Sequence, residues 1–258
     1  MKLKSRKVAW SSGIEWRVQS KMLVSVVIPT YNESENINTL IPEIFSIARE
    51  SNLNLEVVVI DDGSPDGTGE IAKKLAENYA VRVYMRSKKQ GLGSAYKFGF
   101  SKTKGDVIME MDADWSHDPK YLPDILNKIQ QGFDVVVGSR YISGGKRGDG
   151  SQRSILPIIG CKLFNVLLGI EIKDVFSGYR AYSKSALDKI NLETLPDDFS
   201  FQSQILYELK NSGAKLAEVP ITFAARKAGQ AKYTHKEARA NFKVLTKLCL
   251  LRVLKYIE

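Results

Sequence analysis

The chain has 258 residues, 43% of them apolar, two cysteines and a formal charge of +9. That is enough for one large α/β domain with its own core, and two cysteines without metal-ligand spacing exclude a disulfide framework or a cysteine-built metal site. The charge is uneven: residues 1–21 and 226–258 together contribute +12 and the middle −3, the pattern of basic tails meeting an anionic surface, either membrane or nucleic acid.

Residues 1–21 contain no apolar run of the secretory type and are expected to form a loose extension, with Met22, directly before the first strand, a candidate start of translation. From Leu23 the chain alternates strand and helix patterns: LVSVVI, a helix over residues 35–51, LEVVVI, a helix over 68–79, VRVYM, then a helix over 94–103. An acid-tipped strand over 106–111, a helix over 120–131 and the strand DVVVGS follow. Such a rhythm implies a parallel sheet covered on both faces, whose ligands gather at the carboxyl ends of the strands. The polar residues lie at those ends: Pro29, Tyr31 and Glu33; Asp62; Asp112 and Asp114; Arg140. Their convergence on one crevice suits a nucleotide held through base, ribose and diphosphate. Gly91 and Gly93 lack the dinucleotide fingerprint spacing, and no Walker lysine motif occurs.

Asp112 and Asp114 are two residues apart, so in an extended chain they share a face. Adjacent carboxylates repel, and a divalent cation or sugar hydroxyls relieve that repulsion; hard oxygen ligands suit Mg2+ or Mn2+. Cys161 and Cys249 sit in apolar surroundings and read as core residues of a reducing compartment. Residues 154–172 are strongly apolar, but Pro157 and Lys162 spoil a bilayer span, leaving an interfacial helix that meets a lipid tail or a buried core helix. In the last helix, residues 237–256, Phe242, Leu245, Cys249, Val253 and Tyr256 recur at helical spacing beside a cationic stripe of Lys236, Arg239, Lys243 and Lys247. Charges at Lys247 and Arg252 prevent it from crossing a bilayer. It lies on a membrane surface, relies on a separate anchoring subunit, or packs on the domain. The expected division is therefore an extension (1–21), a catalytic domain (22–236) and a basic amphipathic helix (237–258).

SVVIPTYNESENI, VVVIDDGSPDGT, QGLGSAYKFG, MDADWSHDP, VVGSRY, FSGYRAYS and EVPITF occur in this order, and through them the chain resembles the inverting family 2 glycosyltransferases of the GT-A fold, specifically the dolichyl (polyprenyl) phosphate mannosyltransferases, over about residues 23–232. The resemblance implies an α/β fold with a Rossmann-like parallel first half and a mixed sheet. It implies that Pro29, Tyr31, Glu33, Ile60 and Asp62 hold guanosine and ribose, that Asp112 and Ala113 line the donor site, and that Asp114 binds Mg2+ or Mn2+. Arg226 and Lys232 match a late basic pair on the donor, and Arg140 and Arg153 match cations that handle the donor and position the lipid phosphate. Ser116 stands where some members place a metal-ligating glutamine, Pro157 where others carry serine, and Gln204 where glutamate is frequent. Asp174, Ser177 and Arg180 match the SGYR region, where an internal Asp–Arg bridge serves equally well. His117 and His235 are read as structural.

The activity implied is transfer of mannose from GDP-mannose to a polyprenyl or dolichyl monophosphate with inversion, by a peripheral enzyme at the cytoplasmic face of a membrane, with or without a membrane-anchoring subunit. UDP-glucose as donor is the close alternative. A non-catalytic or nucleic-acid-binding protein is the alternative of another class; the basic tails permit it, but no RNA-stacking aromatic motif supports it.

Overall fold

The computed structural model describes residues 22–148, 156–224 and 235–254. The first half runs β1 (Leu23–Thr30), α1 (Ser34–Glu50), β2 (Asn54–Asp61), α2 (Thr68–Leu75), β3 (Val81–Met85), α3 (Leu92–Phe100), β4 (Val107–Glu110), α4 (Leu122–Gln130) and β5 (Val135–Ser139). The second half adds β6 (Lys146–Arg147), α5 (Leu156–Leu168), β7 (Arg180–Ser183), α6 (Lys184–Leu187), α7 (Phe201–Asn211), β8 (Leu216–Pro220), β9 (Thr222–Phe223) and α8 (His235–Leu254). Strands and helices fall where the periodicity predicts them, with the second predicted helix ending early, at Leu75, and the acid-tipped strand closing at Glu110.

Seven strands form one sheet in the order β3-β2-β1-β4-β7-β5-β8. β1, β2, β3 and β4 pair in parallel, β7 runs antiparallel between β4 and β5, and β8 returns parallel to β5. A parallel first half and a mixed second half are thus observed. β6 and β9 make a separate two-stranded ribbon.

Strand alternation divides the core into two layers. Val24, Val26 and Ile28 of β1 join Ile37, Leu40, Ile41 and Ile44 of α1 on one face. Val27 faces the other way, among Tyr96 and Phe100 of α3, Phe164 of α5, Phe201 of α7 and Leu245 and Leu248 of α8. Burying each such large apolar side chain contributes about 1.5–3 kcal/mol. α3 lies tight on the sheet because position 99 is glycine: a Cβ there would come within 2.4 Å of Val27 Cγ1. These contacts aim the loops after β1, β2 and β4 at a common edge.

Candidate active site

At that edge opens a cleft of ≈ 960 Å³. Its walls come from the loops after β1, β2 and β4, the turn into α3, residues 196–200 before α7, and the first turns of α8.

After β1, Asn32 takes a left-handed conformation (φ 57°) and turns the chain into α1. The first amides of that turn have no helical acceptor, and the next loop supplies one for each: Asn32 N–H donates to Ser64 Oγ (3.0 Å), Glu33 N–H to Thr68 Oγ1 (2.9 Å) and Ser34 N–H to Asp66 Oδ2 (3.1 Å). The loops after β1 and β2 are therefore one unit. Within it the neighbouring aspartates differ. Asp61 is wholly buried and accepts from Thr30 Oγ1 (2.9 Å) and from the Ser64 amide (3.0 Å), a brace for the turn. Asp62 lines the cleft and is held by Arg86 through paired bonds of 2.5 and 2.8 Å, both side chains more than nine-tenths buried. Arg86 also donates to Ser94 Oγ in α3 (2.8 Å).

After β4, Asp112, Ala113 and Asp114 all line the cleft. Ser116 gives Asp114 Oδ1 two hydrogen bonds, from its amide (3.0 Å) and its hydroxyl (2.6 Å), and Trp115 between them sits at φ 67°, a conformation that costs a β-carbon-bearing residue about 1 kcal/mol. The Asp112 amide donates to His117 Nδ1 (3.0 Å), so the neutral His117 ring carries its proton on Nε2, and the ring stacks on Tyr179 at 4.9 Å.

Directly beneath this loop lies Glu110, fully buried, accepting from Tyr182 Oη (2.9 Å) and Gln202 Nε2 (2.7 Å). Burial pushes its carboxyl up to about 7, against the opposing pull of Arg180. The Arg180 guanidinium is itself buried, donating to the carbonyls of Gln202 (2.6 Å) and Val175 (2.7 Å).

Three expectations need correction. Ile60 is wholly buried in the layer facing α3: it shares a face with Asp62 but lies two residues back, inside β2 rather than past its end, and it does not line the cleft. Ser116 is also wholly buried and its hydroxyl is engaged by Asp114, so it orients that carboxylate and does not face a metal. Arg140 does not line the cleft either: its Nε and Nη2 grip Asp174, each at 2.7 Å, and its amide donates to the same carboxylate (2.9 Å). Burial pulls the Arg140 guanidinium down, but Asp174 more than restores it, so the charge stays and is already answered. The internal Asp–Arg bridge exists, but it joins Asp174 to Arg140, 34 positions back, and not to Arg180. Pro29, Tyr31, Glu33, Asp62, Asp112, Ala113 and Asp114 all line the cleft, whereas Arg153, Arg226 and Lys232 lie outside the described residues.

Sequence reading missed Arg86 and Lys89, whose Nζ lies 5.2 Å from the centre of the Tyr31 ring, and the wall at 196–200. It also sent Arg239 and Lys243 to a membrane, where the structure puts them on the cleft. The segment RSKKQGLG carried a signal for Lys89, being basic and next to the glycines of the turn into α3; nothing local marks the other walls. Among the described residues no three His, Cys, Asp or Glu side chains gather as a ready metal site. Two carboxylates at the cleft nevertheless fit Mg2+ or Mn2+, ions that complete their shells with phosphate oxygens and water.

Residues 25–191 match the model of the family described as Glycosyl transferase family 2. The chain is 38% identical over 227 residues to a polyprenol monophosphomannose synthase from Mycolicibacterium smegmatis, covering 85% of this chain and 84% of that protein. It is 38% identical to a dolichol-phosphate mannosyltransferase from Pyrococcus furiosus over 83% of this chain, which spans 60% of that longer protein. Among solved structures, a mannosyl-3-phosphoglycerate synthase from Rubrobacter xylanophilus superposes with a TM-score of 0.65 at 20% identity, over 91% of this chain and 74% of that one. A glucosyl-3-phosphoglycerate synthase from Mycobacterium tuberculosis, in complex with Mn2+, UDP and its glucosylated product, gives 0.68 at 20% identity, over 89% and 81%. These two share the fold.

Proposed function

The chain belongs to glycosyl transferase family 2, and from that premise we propose that it transfers mannose from GDP-mannose to a polyprenyl or dolichyl monophosphate, with inversion at the anomeric carbon. The observation that carries this reading is an acid-lined nucleotide-sized cleft bounded on one side by a helix with an apolar outer surface. The names of the 38% identical relatives support mannose as the transferred sugar and a polyprenyl-type phosphate as the acceptor.

In this reading Pro29, Tyr31, Glu33 and Asp62 hold the nucleoside, with the Asp62–Arg86 pair fixing the carboxylate before the ligand arrives. Asp112 and Asp114 would hold Mg2+ or Mn2+, which when bound neutralises charge developing on the leaving diphosphate. Asp114 is pre-aimed by Ser116, and Asp112 is tethered through its backbone to His117. The acceptor phosphate is an anion at neutral pH. Its oxygen forms the new bond to the anomeric carbon as the bond to GDP breaks, and no proton has to be removed; a general base is not needed. Arg153, Arg226 and Lys232 are assigned by resemblance to the phosphates; among the described residues Arg140 is held by Asp174 and lies beside the rings of Tyr141 and Phe223, whose centres are each 5.1 Å from its guanidinium carbon.

Among the described residues no helix is long and apolar enough to cross a membrane. α5 and α8 pack together, with Arg252 Nη1 donating to the Leu167 carbonyl (2.7 Å), and both keep large apolar side chains in water: Ile159, Leu163, Val166 and Leu167 on α5, and Phe242, Leu250 and Leu251 on α8. The apolar stripe anticipated for α8 is split. Leu245 packs inward with Val244 and Leu248, Phe242 points out, Cys249 is half-buried, and the side chains of Lys236, Val253 and Tyr256 lie outside the described residues. In residues 154–172, Cys161, Phe164 and Leu168 are core, as the buried-helix reading expects, while the opposite face is exposed. We assign this shared face to the cytoplasmic surface of a membrane, with an anchoring subunit as the other route to it.

The test is a donor panel with a short-chain polyprenyl phosphate and either Mg2+ or Mn2+. GDP-mannose is expected to give the fastest transfer and metal removal to abolish it. Faster transfer from UDP-glucose moves the assignment to a glucosyltransferase, and turnover with neither donor overturns it.

A further inference from the structure

We propose that Arg239 and Lys243 of α8 receive the phosphate of the lipid acceptor, so that the helix bearing the outer apolar face also carries the headgroup site. The inference rests on the acceptor class given under Proposed function, and it names the residues that read it.

Both side chains line the cleft, and among the described residues neither is engaged in an ion pair. They are four positions apart on a helix, hence on one face, where a guanidinium and an ammonium repel each other unless an anion lies between them. The other cations near the cleft have partners: Arg86 is bound by Asp62, Lys97 by Asp197 (2.8 Å), and Lys89 lies over the Tyr31 ring on the β1 side. Arg140 is held by Asp174 away from the cleft. Of the cations that line the cleft, Lys89 stands on the β1 side over Tyr31, and the other two, Arg239 and Lys243, stand together on α8.

What stands beside that charge selects the ligand. Phe242, between the two cations in sequence, is 63% exposed, and Leu250 and Leu251 extend the apolar surface along the same helix. With its nucleoside assigned to the β1 and β2 side, a nucleoside diphosphate would bring only phosphate and sugar toward α8, and neither uses an exposed phenylalanine. A monophosphate ester with a long hydrocarbon tail uses both, its anion on Arg239 and Lys243 and its tail on the apolar side chains.

The experiment compares the wild-type full chain, R239Q/K243Q and the charge-preserving R239K/K243R, with farnesyl phosphate in water, without lipid or detergent, as acceptor. Acceptor KM, donor KM and calorimetric binding of farnesyl phosphate are measured, with circular dichroism melting to verify the fold. R239Q/K243Q is expected to raise acceptor KM and weaken farnesyl phosphate binding by about tenfold or more, with donor KM within about twofold, and R239K/K243R to recover most of the loss. Unchanged farnesyl phosphate binding, or a loss falling equally on donor KM, overturns the proposal. An inactive wild type that still binds farnesyl phosphate through these two residues upholds the site and overturns the reaction; a wild type that binds none overturns both.

Discussion

On the β1, β2 and β4 side of the cleft, Asp61, Asp62 and Asp114 are each buried and each held, by Thr30 and Ser64, by Arg86 and by Ser116. On the α8 side, Arg239 and Lys243 are exposed, and among the described residues neither is engaged in an ion pair. The first wall is rigid before any ligand arrives; the second is a pair of long solvated cations beside an apolar face. Rigid alignment matters where a sugar must present its anomeric carbon within a fraction of an ångström, and it matters less where a flexible lipid phosphate is gathered from a surface.

The sharpest way to break this contrast is at Asp114. Asp114→Asn keeps the shape and an acceptor for Ser116 but removes the charge, and turnover is expected to fall roughly 10²–10³-fold at saturating metal while the melting temperature stays close to wild type. A well-folded variant with near-normal kcat would make the held carboxylate a bystander. Next comes Arg86→Met, which strands a buried Asp62. Breaking such a pair costs about 3–5 kcal/mol, measurable by urea unfolding, and donor KM should rise, whereas R86M/D62N should recover part of the stability.

Smaller is the pH effect of Glu110. Its carboxyl is raised in the folded protein from an ordinary 4.5 to about 7 by burial, so the stability it contributes is full below pH 4.5 and is lost as pH rises through 7. Unfolding titrations between pH 5 and 8 should show a decline of roughly 2–3 kcal/mol in the wild type that Glu110→Gln largely removes. A wild-type profile as flat as that of the variant would show that the carboxylate stays ionised. The smallest effect is expected on the second wall: Val166→Asp, at a side chain 80% exposed on α5, should weaken flotation with anionic liposomes about tenfold and leave transfer to a water-soluble acceptor unchanged.

How much of this was legible follows from how far each contact reaches along the chain. The strands, and the clustering of Asp62, Asp112 and Asp114 at their ends, depend on local periodicity and on the general rule for open α/β sheets, and both can be read from residues in sequence order. Asp61 and Asp62 are chemically identical neighbours, and only strand alternation decides which braces the turn and which meets the cleft. Ile60, carried over by resemblance, shares the face of Asp62 but sits inside the strand, where the layer against α3 covers it. The partner of Arg140 lies on the far side of α5, and the wall at 196–200 meets α3 through close backbone contact: position 91 sits at φ 108°, and a Cβ there would stand 2.2 Å from the Asp197 carbonyl oxygen. Such pairings belong to the assembled sheet, and no spacing in the chain announces them. The cleft-facing side of α8 went unread for a related reason, since a helix with three faces, to core, cleft and solvent, does not reduce to a two-sided stripe.

The position of β7 has a consequence for how the molecule is made. It comes after β5 in the chain yet lies between β4 and β5, pairing Glu110 with Arg180 on one side and Val137 with Arg180 on the other. A nascent chain that has not yet delivered residues 180–183 holds β4 and β5 as two unjoined edges, each able to pair with a strand of another molecule. Closing the sheet thus waits on contacts between distant segments, which slows folding, and the acid-bearing loop after β4 gains its second neighbour only at that step. A truncation that removes residues 180–183 would therefore be felt at Asp112 and Asp114, far upstream of the cut, and the ribosome must release most of this protein before that catalytic edge is finished.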